Sequence, residues 1–289
     1  MTTGTSVPAP TVIRLTADAN PGHCVRVCGE RYGLDFVRVS GHLLFTVAQE
    51  DGWMPFLRRV LAEFLGTLLL VTTVVGSGIA AQRLSPSDAG LQLLENSIVT
   101  GAALMALILA LGPVSAAFNP VVTLAERLFG AISTVEAVVF VVAQFAGGCL
   151  GTVLANVMFD LSAVNVSDHV RSGGGLWLGE AVATFGLLVV IFGVVRSGRS
   201  SMVGFAVGGY ITAAYWFTSS TSFANPAVTV ARTLSNTFAG IAPSSVPMFV
   251  VMQLVGGLVA VVVIAVLYPR ARAIAEEVAH LDDQDGTRR

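Results

Sequence analysis

Residues 119–128 read NPVVTLAERL and residues 225–234 read NPAVTVARTL; six of the ten positions are identical. Asn is among the best helix N-caps, because its side-chain oxygen accepts from the free N–H groups of the first turn. Pro at the next position has a preset φ and lacks a donor that the first turn would leave orphaned. Each segment therefore predicts the start of a short helix. The apolar stretch behind each Asn-Pro is about ten residues, roughly half of what crossing a bilayer core requires. A lone Asn-Pro ordinarily means a helix start in a loop, but here the surroundings repeat too. Glu63 sits in AEFLGTLLLV and Glu180 in GEAVATFGLLVV, while Gln144 stands in AQFAGG and Gln253 in MQLVGG. Two copies of one structural unit are implied.

The composition says where such a unit can live. Of 289 residues, 54% are hydrophobic and 12% charged, with a mean hydropathy of +0.77. A water-soluble domain carries about 25% charged residues, so there are too few here to cover a surface of this size. Apolar runs at 60–81, 92–111, 136–159, 175–196, 203–218 and 246–268 predict six membrane spans, of which the fifth is short. Three spans per copy is odd, so the copies lie in opposite membrane orientations as an inverted repeat. The predicted fold class is an all-α membrane protein of six transmembrane helices plus two re-entrant half-helices. Non-helical backbone at membrane depth is tolerated where it lines a water-filled cavity or is buried in protein. Two half-helices meeting N-terminus to N-terminus would place Asn119 and Asn225 near the midplane. Their amides would offer donors to a passing solute, and their positive dipole ends would repel cations.

Orientation follows from arginine, since all sixteen cations are Arg. A cytoplasmic N-terminus puts Arg58, Arg59, Arg127, Arg196, Arg199, Arg270 and Arg272 inside, and Arg83, Arg171 and Arg232 outside. Both termini are expected inside. The net charge of -2, with no basic stripe or stacking aromatics, points away from nucleic acid. Cys24, Cys28 and Cys149 are too few for a disulfide scaffold, and Cys149 reads as a packing residue. No apolar h-region follows the N-terminus, so no signal peptide is expected.

These features resemble the aquaporin/glycerol-facilitator family, the major intrinsic proteins, over residues 57–270. The resemblance implies a homotetramer with one pore per subunit, cytoplasmic termini in the inner (plasma) membrane, and passive flux of water, glycerol or similar neutral molecules. It implies a pore motif of Asn119, Pro120 and Val121 with Asn225, Pro226 and Ala227. It also implies that Glu63 and Glu180 hydrogen-bond the two re-entrant loops, a role that suits an intramembrane carboxylate. No cofactor and no metal are implied.

Against that pattern the chain departs at several places. Val121 stands third in the first motif, where Ala is usual, and Val228 follows the second motif, where the family carries an arginine. The filter histidine of water-selective members has no counterpart, because His23, His42, His169 and His280 lie outside the spans. By the family's spacing the outer constriction would comprise Val228, Thr100 (or Val99), Ser222, and either Ala213 by an ungapped count or Tyr215 with a shortened loop. The expected pore is wider and less polar at its mouth. Arg232, one turn on from Val228, either neutralises a loop or reaches back to the constriction. The stretch FTSSTSFANPAVTVARTL (residues 217–234) resembles a bacterial subgroup associated with arsenic resistance, whose members pass neutral trivalent arsenic acid, a trihydroxide shaped roughly like glycerol.

Outside the spans, residues 1–56 read as an N-terminal cytosolic extension; a fused-domain remnant, a misassigned start and a metalloid sensor compete with that reading. His23 and the Cys24-Val-Arg-Val-Cys28 stretch carry the sensor alternative, since thiolates are soft ligands. The alternation from Leu34 to Val47 predicts a small β element. Residues 271–289, with Glu276, Glu277, Asp282, Asp283 and Asp285, read as a solvated C-terminal cytosolic tail. The rival class is a secondary active transporter, which also uses inverted repeats but needs ionisable coupling groups in mid-membrane. Glu63 and Glu180 are the candidates the sequence offers for that. No nucleophile–base pairing or phosphate-cradling loop supports an enzyme.

Overall fold

The computed structural model describes residues 33–39, 42–48 and 53–268. Cys24, Cys28, His23 and the acidic tail beyond 270 lie outside the described residues. The chain divides into a unit up to Asp51 and a unit from Gly52 onward. In the first, strands β1 (Gly33–Val39) and β2 (His42–Ala48) pair antiparallel with Phe36 opposite Phe45, where the alternating sequence predicts a β element.

The second unit is helical. Its elements are α1 (Trp53–Leu84), α2 (Ala89–Leu111), α3 (Pro120–Leu128), α4 (Thr134–Met158), α5 (Gly174–Arg196), α6 (Val203–Phe217), α7 (Pro226–Ala231) and α8 (Val246–Leu267). Among the described residues five helices are long and apolar enough to cross a membrane: α1, α2, α4, α5 and α8. The sixth predicted span is α6, which has 15 residues and is extended at its start by the 3-10 turn Ser200–Met202. The first span begins earlier than its apolar run, because α1 is 32 residues long. Local signals set several ends. Ser133 and Glu136 form a capping box at the start of α4, and Asp88 caps α2 through Leu91 N.

The two halves pack alike. α1 lies along α4, and α5 along α8, as the repeat requires. Close approach is bought with glycine at matching positions. A Cβ on Gly147 of α4 would collide with the Phe64 carbonyl of α1, and one on Gly256 of α8 with the Ala181 carbonyl of α5. Without a hydrophobic drive between helices in lipid, such backbone proximity is what maximises their attraction. Leu57, Leu61, Val138, Val142, Leu258 and Val262 are all exposed on the outside, which fits a lipid-facing surface.

Candidate functional site

The short helices α3 and α7 begin where the sequence predicts. Asn119 caps α3 by accepting from Val121 N at 2.9 Å; Asn225 caps α7 by accepting from Ala227 N at 2.9 Å and Val228 N at 3.2 Å. The Nδ2 groups are used across the centre. Asn119 Nδ2 donates to the Ala224 carbonyl and Asn225 Nδ2 to the Phe118 carbonyl, each at 2.7 Å. Those carbonyls face the opposite loop because Phe118 and Ala224 both adopt φ of +48°. A left-handed non-glycine residue costs about 1–3 kcal/mol, so the surrounding contacts must hold it there. One amide N–H of each Asn is thereby spent tying the loops together, and one is left for a solute.

The holding contacts come from two matched clusters. Glu63 accepts from Ala117 N at 2.9 Å, Phe118 N at 2.8 Å, Ser115 Oγ at 2.5 Å and Gln144 Nε2 at 2.8 Å. Glu180 accepts from Phe223 N and Ala224 N at 2.9 Å and from Gln253 Nε2 at 2.6 Å. Gln144 and Gln253 each donate a second time, to Thr123 and Thr229 inside the half-helices. Both carboxylates and both amides are fully buried. A buried carboxylate is tolerable when several donors surround it, and here they are mostly the loop backbone. The sequence marks Gln144 and Gln253 as part of the repeat; only the packing shows that they join each carboxylate to its half-helix.

A cavity of about 600 Å³ runs past the two asparagines. Apolar side chains such as Leu104, Val122, Leu187 and Ile211 line most of it. Thr100, Tyr215, Ser222 and Val228 come together toward the α7 end, with Thr100 Oγ1 3.3 Å from the Tyr215 hydroxyl. Ser222 Oγ is buried there without a hydrogen-bond partner. Of the two fifth-span readings, Tyr215 lines the cavity; Ala213 is exposed and lies outside it, two residues away on a helix whose turn is 3.6. Val99 is likewise exposed, whereas Thr100 is 2% exposed.

Not every residue of the two Asn-Pro motifs lines the cavity. Val121, read as part of the pore motif, does not line the cavity; it is buried with its Cγ1 against Gly257 of α8, where a Cβ would collide with it. Pro120, Pro226 and Ala227 are also buried away from the cavity and serve the helix starts. Arg232 lines the cavity beside Val228, so a cation stands at the mouth although Val228 is not one. Its Nε donates to the Ala239 carbonyl, which bends the side chain back over the Phe223 ring. Finally Glu126 lines the α3 end of the cavity. Glu126 and Arg232 occupy the same place in the repeated decapeptide, seven residues beyond their asparagines, or about 10 Å along each half-helix. The signal was present in the alignment of the two segments, but a carboxylate among mobile loop charges and one facing a cavity look the same in sequence. Among the described residues no group of three or more His, Cys, Asp or Glu side chains is placed to hold a metal.

Comparison with known proteins bears on the fold and the family. The chain is 49% identical to aquaglyceroporin AqpS of Rhizobium meliloti (strain 1021) over 221 residues, covering 76% of this chain and 94% of that one. It is 34% identical to aquaporin-5 of Ovis aries over 158 residues, or 52% of this chain and 57% of the relative. The X-ray structure of the aquaglyceroporin from Plasmodium falciparum superposes with a TM-score of 0.57 at 20% identity, covering 77% of this chain and 99% of that one, which shows the fold. The family model "Major intrinsic protein" matches residues 52–219. With a relative aligned over nearly its whole length and a family model over more than half the chain, this protein belongs to the major intrinsic protein family.

Proposed function

We propose that this protein is a passive channel for water, glycerol-like polyols and neutral arsenite-type trihydroxides. The observation that carries the reading is the cavity between Asn119 and Asn225, closed toward α7 by Thr100, Tyr215, Ser222 and Val228. Apolar Val228, Leu104 and Ile211 line it together with Thr100, Tyr215 and Ser222, which carry hydroxyls. A polyol carries both C–H and O–H groups, so a lining that mixes apolar side chains with hydroxyls offers partners for each as its water shell is shed. The α7 end is outer and the α3 end cytoplasmic, in keeping with the arginine distribution, and both termini lie on the cytoplasmic side of the inner (plasma) membrane. Residues 57–270 form the channel domain, 1–56 a cytosolic extension and 271–289 a cytosolic tail. Four copies assemble, each with its own pore, and the exposed apolar helix faces supply surface for both lipid and neighbouring copies.

The test is flux into proteoliposomes, followed by light scattering for water and glycerol and by arsenic content for arsenite. Water flux without any trihydroxy solute would sink the polyol reading. Val228→Arg adds a second guanidinium to the mouth beside Arg232. It is expected to cut glycerol and arsenite flux at least about tenfold, the effect of a barrier of roughly 1.4 kcal/mol, while the folded fraction stays the same. Unchanged flux would mean that Val228 does not face the constriction.

A further inference from the structure

Two arginines converge where the loop between α4 and α5 folds over the end of α7. That loop is pinned by Asn165 N donating to Leu234 O at 3.0 Å and Ser167 N to Thr233 O at 2.8 Å. It delivers Arg171, whose guanidinium lies 5.3 Å from the Phe223 ring and donates to the carbonyls of Gly240 at 2.9 Å and Phe238 at 3.3 Å. Arg232 lies over the same ring at 3.5 Å and is 3% exposed. Both arginines line a second cavity of about 180 Å³; Tyr215 and Arg232 line this cavity and the larger one, and so stand between them.

The charge at this point does not close. Burying a cation away from water costs several kcal/mol unless an anion or a full set of acceptors compensates. The partners described above for both guanidinium groups are neutral carbonyls, and among the described residues neither has a carboxylate within ion-pair distance. Glu180 attracts both from further off, but its oxygens are committed to Phe223 N, Ala224 N and Gln253. Two cations against one carboxylate leave an excess of one positive charge.

We propose that Arg171 and Arg232 form a binding site for a small monovalent oxyanion of the carboxylate type at the outer mouth, in the second cavity that Tyr215 also lines. A planar guanidinium presents parallel N–H groups at the spacing of two carboxylate oxygens, which a spherical halide does not match. The excess of one charge selects a single negative charge, and about 180 Å³ admits a molecule of formate or acetate size. Because Arg232 borders both cavities, an anion held there narrows the entrance and competes with neutral solutes arriving from outside. The competition rests on reading the larger cavity as the permeation path; the binding does not.

The full-length protein tests both parts. The line width of ¹³C-formate is measured with protein in detergent, and glycerol influx is measured in proteoliposomes with sodium formate outside. An equal concentration of a bulky morpholine sulfonate, too large for the site, serves as the ionic control. Formate is expected to broaden and to reduce glycerol influx with saturation, and the sulfonate to do neither. In Arg171→Gln, referred to its own formate-free rate, the half-effective formate concentration is expected to rise about tenfold, the scale of one charge-assisted hydrogen bond. Arg171→Lys, which keeps the charge and loses the fork, is expected to fall between. Glycerol flux with no formate broadening or inhibition in the wild type overturns the site, as does an unchanged formate response in a folded Arg171→Gln. Broadening without glycerol flux above that of protein-free liposomes leaves the site standing and removes the polyol reading.

Discussion

Val121 and Gly257 show how one residue's departure from a pattern is absorbed by another. In sequence, Val at the third place of the first Asn-Pro motif looks like a change to the pore. Instead its Cγ1 methyl fills the space that Gly257 leaves on α8. Val121→Ala is expected to leave solute flux intact and to lower stability by about 1–2 kcal/mol through the void left behind. Gly257→Ala alone overpacks the same spot at a cost of about 1–3 kcal/mol. The double variant is expected to recover most of both losses, read from thermal unfolding in detergent. Additive losses would show that the two side chains do not share the space. The sequence could name both positions, but only their contact reveals that they act together. Arg232 teaches the same lesson at the mouth. Its distance from Val228 in the chain was plain, whereas its direction depends on the Ala239 carbonyl, supplied by a loop that sequence spacing does not place.

Among the elements, the half-helices were the most legible and the pairing of the long helices the least. Asn-Pro writes a helix start into the chain, and both α3 and α7 begin at their prolines. Helix α8 runs from Val246 to Leu267, within its apolar run of 246–268. Which helix touches which is decided by small residues whose role is visible only in contact. Gly256 sits against the backbone of α5 as Gly147 sits against that of α1. Gly256→Leu is expected to push α8 off α5 and to loosen Gln253 from Glu180, so that the loop before Asn225 loses an anchor. Its signature would be a loss of stability of about 3 kcal/mol or more with loss of flux. Leu at the exposed Val259 of the same helix is expected to change neither. Equal effects at both positions would mean that the α5–α8 approach is not what holds the loop.

At the scale of the molecule, two opposed half-helices place positive dipole ends at the centre, Arg232 at one end of the cavity and Glu126 at the other. Glu126 is an ionisable group in the cavity that the sequence reading, which considered only Glu63 and Glu180 for ion coupling, did not bring forward. The packing takes Glu63 and Glu180 out of contention, since their oxygens are held by loop backbone. A passive channel is then expected to carry glycerol at one rate whether or not a proton or sodium gradient is imposed across the liposome. Accumulation of glycerol above its outside concentration under either gradient would establish a coupled transporter, and Glu126 would be the group to examine.

What the sequence determined by itself was the membrane location, the duplicated unit with its inverted sense, and the two helix starts at Asn119 and Asn225. Those follow from hydropathy, from the odd number of spans per copy and from local capping chemistry, all of which act within a few residues or along one helix. The tertiary structure alone decided that Tyr215 rather than Ala213 faces the cavity, that Val121 is turned toward α8, and that Arg171 and Arg232 come to one ring. Each of these depends on helix rotation and loop path, and both are set by contacts between residues far apart in the chain.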